Sequence, residues 1–280
     1  MTLKITVLTE DTNCMGRDLK TEKGLSYFVE HNQERIIFDT GGPDGTIIQN
    51  AIDLGVDLKT IDRVILSHGH YDHTGGLLKL VDLMHQPVKL TVHHTLFHKR
   101  YKITDKETKF IGNDFSEEDL LQRDVDLQII FDTTQINENL FVVSNFESGD
   151  HQNLEANHLY VEKDQMMKPD YMEGELVLVI QTEKGLVILL GCAHSGILTI
   201  LNKIQEKFAQ PILGIIGGTH LGGVSEGVVH EILDEIDKLE FQWMGPCHCT
   251  GQEVIKKMKN RLGDRFKEVH VGTEIILDND

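Results

Sequence analysis

The stretch VILSHGHYDHTGGL, Val64 to Leu77, decides how the rest of the chain is read. Val64 to Ser67 are apolar or small and read as a short buried strand. Beyond Ser67 come His68, Gly69, His70, Tyr71, Asp72 and His73, with Gly75 and Gly76 close behind. His68 and His70 stand two apart, so in an extended or turning segment their rings reach the same side. Asp72 and His73 follow on a tight bend and face a second point nearby. Imidazole and carboxylate suit Zn, Fe or Mn, so one run can supply two ligands to each of two metal ions. Histidines scattered over a surface or a core do not produce HxHxDH at a strand end with glycines after it. Metal binding is therefore the expectation.

SHGHYDHTGGL resembles the signature of the metallo-β-lactamase superfamily. The motif combines residue types, spacing and a strand-to-helix context. The resemblance implies an α/β fold, a four-layer αββα sandwich, with a mono- or dinuclear metal site at one edge. Fold and metal follow from it more safely than substrate does. It also implies a role for Asp39 at the end of RIIFDTGG: a carboxylate behind the metal loop, hydrogen-bonded to backbone or to a ligand histidine.

Three later stretches place histidines just after buried strands: LVILLGCAHSG with Cys192 and His194, ILGIIGGTHLGG with His220, and FQWMGPCHCTG with Cys247, His248 and Cys249. Neighbouring glycines let each backbone turn tightly. In the resembled superfamily a third histidine completes one metal, a bridging carboxylate follows a later strand, and a last histidine completes the second metal. His248 matches that last histidine. Cys192 occupies the carboxylate position, in GC where GD is common. No Gly-His-Thr stretch of the usual kind precedes the Leu186 strand, and His194 takes that histidine's place. The resemblance thus implies His68, His70 and His194 on one metal and Asp72, His73 and His248 on the other. Cys192 would bridge them or stand just outside as a thiol. The cofactors expected are two divalent ions, Zn first, with Fe or Mn as alternatives; sulfur tilts the choice toward Zn or Fe. Cys247 and Cys249 are expected to point away from His248 as small buried residues. GCAHSG, GGTHL and PCHCTG together are similar to a branch that includes the dihydropterin–ribofuranosylaminobenzene phosphate synthases of methanopterin biosynthesis. That likeness runs from about Lys4 to Thr273 and is weakest in the middle of the chain.

At 280 residues and 40% apolar content the chain is long enough for a sizeable core. We read it as one domain over residues 1–280, with an insertion at about 97–171. No run of 18 apolar residues exists, so no membrane span is expected. MTLKITVLTED lacks the features of a signal peptide. The net charge of −18 disfavours nucleic acid as a partner; the expected partner is a small anionic substrate, on the strength of a basic run in the insertion. Four cysteines, Cys14, Cys192, Cys247 and Cys249, are too few for a disulfide framework, which points to a reducing, cytoplasmic compartment.

Leu3 to Leu8 alternates as a half-buried strand, and Leu25–Glu30 with Arg35–Asp39 reads as a hairpin. Thr46 to Leu54 is predicted helical, with Ile47, Ile48, Ala51 and Ile52 facing inward. Gly76 to Leu83 begins another helix. Within the insertion, His98 to Lys109 carries Lys99, Arg100, Lys102, Lys106 and Lys109 against Asp105 and Glu107. This basic run is expected to steer an anionic substrate. The polar stretch 147–170, with His151 and His158, reads as part of a lid. A second half follows: a hairpin over Glu175–Leu190, then three amphipathic helices built on Ile197/Leu201/Ile204, Val229/Ile232/Ile236 and Val254/Met258/Leu262.

The expected function is a metallohydrolase of a small anionic ester, phosphoester or lactone. Asp72 would orient the attacking water or take its proton, and His220 would donate a hydrogen bond to the substrate or leaving group. The alternative is a synthase joining a pterin-type diphosphate to an aromatic amine phosphate with release of diphosphate. A non-catalytic metal-bearing sensor is the third class, favoured only by loss of the usual bridging carboxylate.

Overall fold

The computed structural model describes residues 2–278 except 15, 85–86 and 147–157; His151 lies outside the described residues. In chain order the strands are β1 (Leu3–Thr9), β2 (Ser26–His31), β3 (Glu34–Phe38), β4 (Arg63–Ile65), β5 (Lys89–His93), β6 (Arg100–Ile103), β7 (Thr108–Phe110), β8 (Asp126–Ile130), β9 (Thr134–Asn137), β10 (Leu140–Val143), β11 (Leu159–Lys163), β12 (Met166–Pro169), β13 (Val177–Thr182), β14 (Gly185–Leu189), β15 (Ile212–Gly218), β16 (Phe241–Cys247) and β17 (Glu274–Leu277). The helices are α1 (Thr46–Asp53), α2 (Tyr71–Thr74), α3 (Leu77–Leu83), α4 (Glu117–Leu121), α5 (Ile197–Lys207), α6 (Glu226–Lys238) and α7 (Gln252–Leu262). The chain divides into two compact units, Met1–Tyr101 with Phe110–Phe131 and His270–Asp280, and Lys102–Lys109 with Asp132–Val269.

The first unit is a seven-stranded sheet in the order β17-β1-β2-β3-β4-β5-β8. Its β3, β4, β5 and β8 run parallel. Ile47 and Ala51 of α1 and Leu77, Leu80 and Val81 of α3 pack with Ile37, Val64, Leu66 and Leu90 of the sheet region. Ile52, expected inside, is 65% exposed. The inward position goes to Asn50, whose amide donates to the carbonyls of Leu8 and Lys20, both at 2.8 Å, and accepts from the Lys20 N–H. α1 thus turns a polar residue inward because the loop after β1 needs its backbone groups satisfied.

The second unit holds a six-stranded sheet in the order β16-β15-β14-β13-β10-β9, with β14, β15 and β16 parallel. The three predicted amphipathic helices pack on it through Ile197, Leu201 and Ile204, through Val229, Ile232 and Ile236, and through Val254, Met258 and Leu262. A smaller sheet has the order β12-β11-β6-β7. Of the stretch read as an insertion, β8 ladders with the seven-stranded sheet and β9 and β10 with the six-stranded one. The strands outside the two large sheets are β6, β7, β11 and β12. Among the described residues no helix is long and apolar enough to cross a membrane.

Gly214 of β15 pairs with Trp243 of β16, and a Cβ at Gly214 would run into the indole ring. Gly214→Ala is expected to destabilise the protein by about 1–3 kcal/mol, the usual cost of overpacking. Trp243 is the single tryptophan, so its fluorescence on urea unfolding reads the change directly. Adding Trp243→Leu should recover part of the loss when followed by circular dichroism.

Candidate metal centre

β4 ends at Ile65, and Leu66 and Ser67 carry the chain to His68. His68, His70, Asp72 and His73 are all buried. The last three lie on the one-turn helix α2 or at its N-cap, where the amides of His73 and Thr74 close on the His70 carbonyl at 3.0 and 3.2 Å. This turn gathers the rings: His68 and His73 have centroids 4.2 Å apart, and His68 Nε2 stands 3.0 Å from His70 Nδ1.

Asp39 stands directly after β3 with φ 61, a left-handed conformation that costs a non-glycine residue energy. Its carboxylate is fully buried and accepts the Ser67 N–H at 2.6 Å, the Ser67 O–H at 2.6 Å and the His73 Nδ1–H at 2.7 Å. Proton arithmetic follows from these contacts. Ser67 has one hydroxyl hydrogen, and Asp39 receives it. In the 2.9 Å contact between Ser67 Oγ and His68 Nδ1 the ring must therefore donate. Both His68 and His73 then donate through Nδ1, which makes Nε2 the ring nitrogen that would bind a metal. One buried carboxylate thus sets two imidazole tautomers for metal binding.

The donor set fits a divalent metal. Two nitrogens bound at about 2.0–2.1 Å to one tetrahedral ion would lie roughly 3.3 Å apart. The His68–His70 pair is already close to that separation.

Both flanks of this loop are fixed. The Leu25 N–H donates to the Asp72 carbonyl at 3.2 Å, and the Thr40 N–H to the His73 carbonyl at 2.7 Å. On the other side His70 forms a bridge with Gly112, and the Tyr71 N–H donates to the Ile111 carbonyl at 3.0 Å. Arg100 packs where a side chain on Gly69 would go, within 2.5 Å of that Cβ position. Its guanidinium is buried and donates to the carbonyls of Thr95, Leu96 and His98 at 3.0–3.2 Å. Arg100, expected to steer substrate, instead braces the metal loop. Lys23 Nζ lies 3.6 Å from Asp72 Oδ2 and 5.8 Å from the centre of the Tyr71 ring. Burial pulls its pKa down, but Asp72, Tyr71 and Asp11 outweigh that and hold it above the ordinary lysine value.

In the second unit the candidate residues stand beyond the ends of three parallel strands. Cys192 follows β14, His220 follows β15 and His248 follows β16. Ala193, His220 and His248 adopt φ of 55, 52 and 50. Cys192 Sγ lies within 4.8 Å of a ring nitrogen of His194 and of one of His248. The His194 and His220 rings are 4.1 Å apart. The buried Glu175 carboxylate receives the N–H groups of His194 and Ser195, both at 2.9 Å. Thr250 Oγ1 accepts the N–H and the hydroxyl of Thr219, each at 3.0 Å.

Cys249 is not the bystander that its spacing predicted. Its Sγ accepts the His220 N–H at 3.3 Å and donates to the Cys192 carbonyl at 3.5 Å, joining the loops after β14, β15 and β16. Sequence reasoning also missed Glu175. An acidic residue opening the apolar run ELVLVI was the available signal, since a buried carboxylate needs donors. His93 and His94 have local contacts: His93 Nδ1 pairs with Thr95 Oγ1 at 3.0 Å, and His94 stacks on Phe131.

Residues 20–198 match the model of the metallo-beta-lactamase superfamily. The chain is 28% identical to the 7,8-dihydropterin-6-methyl-4-(beta-D-ribofuranosyl)-aminobenzene-5'-phosphate synthase of Methanocaldococcus jannaschii, over 96% of this chain and 95% of the relative. It is 30% identical to the uncharacterized protein MJ0448 of the same organism, over 90% and 92% of the two chains. Among solved structures, the metal-dependent hydrolase of the beta-lactamase superfamily Tm1679 matches with a TM-score of 0.82 at 28% identity, covering 99% of this chain and 100% of that one. Zn(2+)-bound PqqB from Methylobacterium extorquens shares the fold, with a TM-score of 0.59 at 13% identity over 97% and 99% of the chains.

Asp39→Asn keeps the shape but cannot accept all three hydrogen bonds. It is expected to weaken metal retention about 10- to 100-fold, the usual effect of losing a carboxylate behind a ligand histidine. Competition against a chelator indicator measures it; unchanged affinity would remove Asp39 from the metal centre.

Proposed function

The chain belongs to the metallo-β-lactamase superfamily, and from that premise we propose that it is a metal-dependent enzyme hydrolysing a small anionic ester, phosphoester or lactone. The observation that carries the reading is the preset Nε2 of His68 and His73, held by the buried Asp39 and Ser67. Imidazoles whose Nδ1 atoms are fixed by a buried carboxylate and a hydroxyl are oriented to offer Nε2 to a cation.

We assign His68, His70 and His194 to one metal and Asp72, His73 and His248 to the other, with Cys192 as a sulfur donor. Nitrogen, carboxylate and thiolate donors together favour Zn, with Fe or Mn as the alternatives. When bound, a pair of such ions lowers the pKa of water to about 7 and offsets charge developing on the substrate. Asp72 orients the attacking water and takes its proton. His220, on a left-handed turn beside His194, donates a hydrogen bond to the leaving group. The cysteine usage favours a reducing compartment, which we take to be the cytoplasm.

A second reading rests on the synthase relative, similar over nearly the full length of both chains. There the same residues would hold a diphosphate leaving group while an aromatic acceptor attacks. Diphosphate released from an activated diphosphate ester only when an arylamine acceptor is present would select the synthase. Release without acceptor, with water as the nucleophile, would select the hydrolase.

Elemental analysis of protein purified without chelator tests the metal assignment. His68→Ala is expected to lose metal and turnover together while keeping its circular dichroism spectrum. Cys192→Ser is expected to reduce the metal content per chain. Full metal retention in both variants would overturn the ligand set.

A further inference from the structure

We propose that Lys23 is the specificity-determining residue for substrate charge, a preplaced cation that takes a phosphate or diphosphate oxygen beside the metal loop. The inference rests on the anionic-substrate reading above and names the protein group that recognises that charge.

Arg100, Lys79 and Lys23 lie on or against the segments bracketing His68–Gly76, and the first two are committed to backbone carbonyls. Arg100 gives its guanidinium to the carbonyls of Thr95, Leu96 and His98 and is buried. Lys79 donates to the Pro43 and Asp44 carbonyls, at 2.6 and 3.1 Å. Lys23 differs. Its polar partners are side chains, Asp72 at 3.6 Å and the Tyr71 hydroxyl, and it remains 66% exposed, so a substrate oxygen can reach it.

The backbone that roots Lys23 is unusually fixed for a loop. On one side, Glu22 accepts the Asp44 N–H at 2.7 Å and both the N–H and hydroxyl of Thr46, which anchors it to the start of α1. On the other side, Gly24 takes φ 149, and any side chain there would strike the Asp72 carbonyl. The Gly24 N–H donates to Asp11 at 3.2 Å, and the Leu25 N–H donates to that same Asp72 carbonyl. Asp72 and Lys23 are thus held by one set of backbone contacts. A lysine normally loses much side-chain entropy on binding an anion; a pinned root and the Tyr71 ring beneath the ammonium reduce that loss. Asp72 faces Lys23 as a carboxylate. Once Asp72 shares its charge with a metal, the ammonium has less competition for a substrate oxygen.

The test uses the metal-loaded full chain, with inorganic pyrophosphate and orthophosphate as probes and calorimetry as the readout. Lys23→Gln is expected to weaken pyrophosphate binding about tenfold or more, a change equivalent to one ion-assisted contact. Lys23→Arg should restore most of it. Metal content should stay at the wild-type value in both variants. Wild-type pyrophosphate affinity in Lys23→Gln would overturn the proposal. Loss of metal parallel to loss of anion binding would also overturn it, by making Lys23 a support for Asp72. Failure of the loaded wild type to bind either anion is a different result: it would sink the anionic-substrate reading itself, and this inference with it.

Discussion

One buried carboxylate organises the metal loop. Asp39 accepts three hydrogen bonds from Ser67 and His73 with no exposure to solvent. Each charge-assisted bond of this kind contributes on the order of 1.5–3 kcal/mol, and a buried carboxylate deprived of its donors would be strongly destabilising. The requirement runs in both directions. Asp39 needs the donors that the loop supplies, and the loop needs Asp39 to fix its ring tautomers. Neither half is stable alone in that form, which is why the aspartate ends one parallel strand and the histidines follow the next.

The second unit repeats the logic with different atoms. Glu175 holds the amides of His194 and Ser195, where Asp39 holds the Ser67 amide. In both units the candidate donors stand beyond the C-terminal ends of parallel strands, where open α/β sheets commonly bind ligands. Asp39, Ala193, His220 and His248 are all in left-handed conformations. Such strain, of order 1–3 kcal/mol per residue, persists only where surrounding contacts over-determine it. For three of the four the contacts are Glu175 on the amides following Ala193, Cys249 on the His220 amide, and the hydrogen bonds of the Asp39 carboxylate.

What could be read in the sequence was what depends on near neighbours. HxHxDH after a short apolar run placed the metal loop, and helical spacing of Ile197, Val229 and Val254 with their partners located α5, α6 and α7. What could not be read depended on partners far along the chain. Arg100 looks like part of a basic surface run until Gly69 leaves room for it. Ile52 fits the inward face of α1 until Asn50 is needed by the loop after β1. Cys249 looks inert beside His248 until the loops carrying Cys192 and His220 reach it. Glu175 opens an apolar run that hints at burial, but the partners that explain it stand in a turn about twenty residues later. In each case a backbone donor or acceptor had to be satisfied, and composition carries no record of which one.

Charge poses the last constraint. A chain of net charge −18 would repel the anionic substrate proposed for it. Screening resolves this, because exposed charges lose most of their influence beyond about 8 Å at physiological ionic strength. Acids scattered over both units therefore cannot govern what happens at the metal loop. The local balance does, and there Arg100 and Lys79 are committed to carbonyls and Asp72 is the adjacent carboxylate. Against that background a single solvent-facing ammonium has influence out of proportion to its share of the net charge. Lys23, exposed beside Asp72, would add a hydrogen bond to an anion held at the residues proposed as metal ligands. An acidic protein can still attract an anion where its cations are concentrated at one place.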